Sequence, residues 1–144
     1  MIRIQHEPID YHAATEEVRS HAAGAVCLFL GTVREMTGSQ RTIALTYEAH
    51  ERLALQSMAE VEAETRSRWP VVEMALIHRI GYLSLGEISV VVVVSSPHRK
   101  DAFAACQYAM DRLKEMVPIW KQDHDAAGET SWVHPDVSNS SPDA

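Results

Sequence analysis

Long apolar runs are missing from this chain. The longest, from Ile88 to Val94, falls far short of the ~20 residues that cross a bilayer. The opening MIRIQHEP also lacks the apolar stretch of a secretory signal. A cytoplasmic protein with no membrane segment is therefore expected. Cysteine is scarce: Cys27 and Cys106 lie in apolar segments with no C-x-x-C spacing, which argues against a zinc site or disulfide framework and predicts two reduced core thiols. G-x-S-x-G, H-E-x-x-H and a glycine-rich phosphate loop with lysine are absent, and His124 between Asp123 and Asp125 matches no metal-ligand spacing and reads as polar loop. Neither a metal nor an organic cofactor is expected. Positive charge is short too, with 13 Lys and Arg against 20 Asp and Glu and a net charge of -7. Without a basic run to overcome that balance, no nucleic-acid partner is expected.

What is present is ordinary. At 144 residues, 46% apolar and 23% charged, the chain has the size and composition of one soluble globular domain. That domain is predicted over residues 1–134, and residues 135–144 have the composition of a disordered tail.

Hydrophobic periodicity predicts the elements. A short strand over 2–6 precedes a helix capped by Asp10 that runs through YHAATEEVRSHA and ends at Gly24. AVCLFLGTV, residues 25–33, is apolar on both faces and reads as a central strand, followed by a mobile loop, REMTGSQR, and a strand, TIALTYEA. From Glu51 to Trp69, Ala54, Met58, Val61, Thr65 and Trp69 recur at helical spacing, and Pro70 stops the helix. VVEMALIHRI predicts a half-buried strand, GYLSLGE a turn-rich connection, and ISVVVVVSS a strand at a sheet's centre. A last helix over about 99–117 has the stripe Phe103, Cys106, Met110, Leu113 and Val117, and Pro118 ends it. IWKQDH and TSWVH predict two short terminal strands. Several strand-to-strand connections are too short for a helical crossover, so an α+β domain with a largely antiparallel sheet is expected.

Charge is unevenly spread. Residues 97–121 carry a net +2 while the rest of the chain sums to -9. Within this stretch SSPHRKDAF places Arg99 and Lys100 at a helix start, where the free backbone N–H groups and the helix dipole disfavour cations. Such a violation of a local rule fits a site for an anionic ligand, with His98 beside it; two solvated cations paired with Asp101 are the plainer alternative. Further along, KEMVPIWK puts Lys114 on the helix's last turn, next to Met110, and Lys121 just past the proline break. Two amines brought together would lower each other's pKa and suit one to proton transfer. A lysine satisfying helix carbonyls, and an outward strand lysine, are the alternatives. Arg34 ends an apolar strand at a glycine-containing loop, a usual place for a functional cation, and Arg79 in HRIG is similar.

Six segments, FLGTVR (29–34), LTYEAH (45–50), HRIG (78–81), SSPHRKDAFAAC (95–106), KEMVPIWK (114–121) and TSWV (130–133), occur in an order that resembles the large, catalytic subunit of molybdopterin synthase, the MoaE family. The resemblance covers about residues 24–133. It implies an α/β hammerhead-type fold and a homodimer within a heterotetramer, with a small ubiquitin-like sulfur-carrier subunit at each end. Its implied activity is a sulfurtransferase reaction, in which the carrier's C-terminal Gly-Gly thiocarboxylate gives its sulfur to cyclic pyranopterin monophosphate and two transfers make the dithiolene of molybdopterin. By the same analogy Lys114 and Lys121 are catalytic, and Arg34, His98, Arg99 and Met110 line the substrate pocket. Gln122 and Asp123 stand where the family often has a basic residue and Glu, and His134-Pro135-Asp136 follows TSWV. Two other readings compete: a non-catalytic module that binds a phosphorylated metabolite or a ubiquitin-like tail, and a cysteine enzyme using Cys106.

Overall fold

The computed structural model describes residues 1–133; the predicted tail lies outside the described residues. Nine strands and three helices are formed among them, in the order β1 (Ile2–Gln5), α1 (Tyr11–Val18), β2 (Ala25–Thr32), β3 (Met36–Thr37), β4 (Gln40–Ala49), α2 (Glu51–Arg68), β5 (Glu73–Arg79), β6 (Gly81–Ser84), β7 (Ile88–Ser96), α3 (Arg99–Met116), β8 (Ile119–Asp125) and β9 (Thr130–Val133). The class is α+β, as expected. Every strand pair is antiparallel except β1 with β5.

The first sheet has the order β1-β5-β7-β2. Its centre is β7, whose Val91 to Val94 are fully buried, because both faces are covered. On one face Val92 and Val94 pack with Met58, Val61 and Ala105 of α2 and α3; on the other, Val91 and Val93 pack with Ala14 and Val18 of α1. Alternate side chains of a strand point to opposite faces, so a two-sided cover demands an unbroken apolar run. A correction falls at β2, which is apolar on both faces yet is the sheet's edge and not its centre: Cys27 and Phe29 face α3, while Val26 and Leu28 on the other face are exposed. β5 is likewise more buried than predicted, with Met74 to Ile77 all enclosed.

The second sheet is built on β4, which pairs with β3, β6 and β8, while β9 extends β8. Two predicted loops are therefore structured. The segment after Arg34 closes as a β3–β4 hairpin through Gly38 at φ 61, a left-handed conformation that glycine adopts without a Cβ clash. GYLS is a strand held against Ala44–Tyr47. His124 also lies on a strand, with its Nε2 2.8 Å from the Thr46 hydroxyl.

Both long helices end where the sequence says. The predicted stripe of α2 is buried at Ala54, Met58, Val61 and Thr65, and Trp69 caps the helix ahead of Pro70. Asp10 caps α1 by accepting from the Ala13 amide at 3.0 Å, but α1 stops at Val18 because Arg19 turns to an extended conformation (ψ 145). In α3 the face on the sheet is Ala102, Ala105, Cys106, Ala109 and Leu113, whereas Phe103 is 65% exposed. Small alanines let the helix sit close to β2 and β7, and Phe103, one step of about 100° further round, falls outside that contact.

Candidate active site

Three chain segments converge at the C-terminal end of α3. The helix packs on β2 and β7, so its last turn comes to lie near Val33 and Arg34, the residues that leave β2. That exit is held by two backbone bonds, Val33 N–H to Glu87 O at 3.0 Å and Gly86 N–H to Val33 O at 2.8 Å. Pro118 then turns the chain so that β8 pairs with β4, which returns Lys121 to the same place.

Lys121 pairs directly with Tyr47 across the two strands. Directly paired residues share a face of the sheet, and Tyr47 packs with Val33, Leu45 and Leu83. Lys121 therefore points inward, not outward. Lys114 is half-buried at the wall of a cavity of about 420 Å³ between α3 and β2, with Met110, Asp111 and Phe29 among the lining residues. Met110 packs against the core and fixes that wall. Arg34 holds the loop by donating from Nε to the Thr37 hydroxyl at 3.4 Å.

Electrostatics follow from this meeting. Burial pushes the Lys114 amine down to about 8; the charge of Lys121 and then that of Arg34 add to the fall, and Asp111 opposes it. Lys121 is lowered by burial too, with Asp123 opposing the fall and Arg34 adding to it. A lysine poised near neutrality can exchange protons, while the neighbouring charges hold anions.

His98 and Arg99 are not part of this cluster. They sit at the opposite end of α3, sixteen and fifteen residues before Lys114 and about 22–24 Å from it along the axis, so a single chain does not gather the cations of both motifs in one cleft. Both are exposed. His98 takes the N-cap position without a side-chain cap bond, and Arg99 has no ion pair among the described residues. This end is nonetheless constrained: a Cβ at Gly24 would meet the Pro97 carbonyl oxygen at 2.7 Å, so only glycine allows β2 to start so close to the turn that leads into α3.

The other candidates have structural partners. Arg79 donates to His6 O at 2.9 Å and pairs with Glu87 at 3.3 Å. Its neighbour His78 is half-buried against Tyr47, with ring centroids 5.0 Å apart, and loss of solvent around the ring drives its pKa to about 4. Cys106 is buried and its thiol pKa is raised, chiefly by that burial, so it holds no ready thiolate near neutral pH and is unsuited to the catalytic role of a cysteine enzyme. No group of three potential metal ligands occurs among the described residues. Asp111 and Tyr47 are neighbours of the lysines that the sequence reading does not include. Asp111 is one helical turn from Lys114 and is findable by spacing, whereas Tyr47 meets Lys121 only through strand register.

The family model described as MoaE protein matches residues 4–116. The chain belongs to the MoaE family. Among curated proteins it is similar to the molybdopterin synthase catalytic subunit of Bacillus subtilis, 45% identical over 126 residues that cover 88% of this chain and 80% of that protein. A solved molybdopterin synthase from Staphylococcus aureus superimposes with a TM-score of 0.85 at 40% identity, covering 90% of this chain and 94% of that one. The fold also matches a chain in a protein-protein complex of subunits 1 and 2 of the Helicobacter pylori molybdopterin-converting factor, with a TM-score of 0.73 at 23% identity over 92% of this chain and 88% of that one. Membership in the MoaE family gives the cation cluster a chemical setting.

Proposed function

We propose that this chain is the catalytic subunit of a molybdopterin synthase and that it transfers sulfur from the C-terminal thiocarboxylate of a small ubiquitin-like carrier to cyclic pyranopterin monophosphate. The observation that carries the reading is the convergence of Arg34, Lys114 and Lys121 with the Lys114 amine pushed down to about 8. Thiocarboxylate, phosphate and the tetrahedral intermediates between them are anionic, so a half-buried group of cations stabilises each of them where water is scarce. Arg34 and Lys121 hold these charges. Lys114, partly neutral near neutral pH, takes up and returns protons as carbon–oxygen bonds of the pterin give way to carbon–sulfur bonds. Neither cysteine is needed, because the sulfur arrives on the partner.

His98 and Arg99 enter this site from the second copy of a homodimer. One helix length separates them from their own Lys114, so they can contact the same substrate only when a two-fold axis sets the start of one α3 beside the end of the other. The test is a single-turnover assay with the thiocarboxylated carrier and the cyclic pterin. Loss of dithiolene formation in Lys114→Ala with carrier binding retained supports the reading, and unchanged turnover removes Lys114 from the mechanism.

A further inference from the structure

The wall of the Lys114 cavity carries two thiols that the sulfur-transfer chemistry leaves unused. Cys27 lies on β2 and alternates with Phe29, so both face α3 and pack against the core beneath it. Cys106 lies two turns before Lys114 on α3, and its Sγ donates to Val92 O at 3.7 Å. Val92 and Val94 are the β7 partners of Phe29 and Cys27, which puts the two sulfurs over neighbouring strands on one face. There Cys27 packs against the core cluster that contains Cys106. Both line the same 420 Å³ cavity, open to small solutes beside Lys114.

We propose that Cys27 and Cys106 are an oxidation site that closes as an intrachain disulfide when the protein meets a peroxide. Half-exposed Cys27 is oxidised first: its thiolate attacks one peroxide oxygen, forms a sulfenic acid and releases the other oxygen as water. Cys106 then attacks the Cys27 sulfur, loses its proton, and a second water leaves as the S–S bond forms. The bond ties β2 to α3 one turn from Met110. Burial keeps the Cys106 thiol protonated above its ordinary range, so the second step quickens as pH rises.

The test is non-reducing peptide mapping of the full chain after treatment with hydrogen peroxide at pH 7 and pH 9. The expected product is a single linked pair, Cys27 with Cys106, two hydrogens lighter than the reduced peptides, formed faster at pH 9 and reversed by a thiol reductant, with a higher Tm than the reduced protein. In Cys27→Ser the link is lost and Cys106 is recovered as a free thiol after unfolding. Cys27 found as sulfinic acid or joined to Cys27 of another chain, with Cys106 still free to react with a thiol reagent after unfolding, would overturn the proposal.

Discussion

The two ends of α3 both carry cations, and their surroundings make them different reagents. At the first turn Arg99 and Lys100 are exposed, with Asp101 beside them. Solvated cations of this kind steer or hold an anion. At the last turn Lys114 is half-buried and faces Lys121 and Arg34, and its pKa falls to about 8. Removal from water and like charge, and not the residue type, turn a cation into a base. The same helix thus offers a fixed charge at one end and a proton carrier at the other.

The most severe way to break this contrast is Lys114→Ala, for which we expect single-turnover sulfur transfer to fall about 10²–10⁴-fold, the usual range for a lost acid–base group; Lys100→Ala should stay within about twofold, as befits a solvated charge. Next comes a mixing experiment. Lys114→Ala and Arg99→Ala chains, each impaired alone, should regain about a quarter of wild-type sites when unfolded together and refolded, because random pairing gives half heterodimers, each with one intact site. No recovery would show that Arg99 does not reach the site of a second copy.

A smaller effect separates the packed side of α3 from its open side. Leu113→Ala, inside the core, should cost about 2–5 kcal/mol in denaturant unfolding, whereas Phe103→Ala, 65% exposed, should change stability of the isolated chain by about 0.5 kcal/mol or less.

The smallest effects are shifts in pH dependence. Since the base must be neutral, kcat/KM should rise as pH passes through about 8. Lys121→Gln removes a repelling charge and should move that inflection upward; Asp111→Asn removes an attracting one and should move it downward. Stability follows the same sign. With the folded amine near 8 and its ordinary value at 10.5, the unfolded chain binds more protons between those limits, so stability from this group increases with pH across that window. Lys114→Met should flatten the rise.

Much of this was legible in the residues. Each cation of the cluster stands where an element ends, at the close of β2, on the last turn of α3 and just beyond Pro118, and such positions are readable from periodicity and breakers. The stripe of α2 and the buried run of β7 were readable for the same reason. Pairing was not. An apolar run looks the same in the sequence whether its second face is covered, as in β7, or left open at a sheet's edge, as at Val26 and Leu28 of β2, so the pattern does not place β2. The short partners β3 and β6 lack a periodic signal of their own and exist because β4 supplies their hydrogen bonds. A hydrophobicity pattern puts Phe103 in the core because it cannot tell that alanines form the closer contact. The separation of Arg99 from Lys114 was available from helix length alone, since fifteen residues of α-helix cannot bring their ends together.

The central claim is that convergence with Lys121 and Arg34 makes Lys114 a base near neutrality. Its direct test is a pH titration of the Lys114 side chain in the full chain, followed by NMR of its ε-carbon. A midpoint at about 8 that rises in Lys121→Gln is the predicted result. A midpoint at the ordinary lysine value of 10.5, unmoved by that substitution, would contradict it.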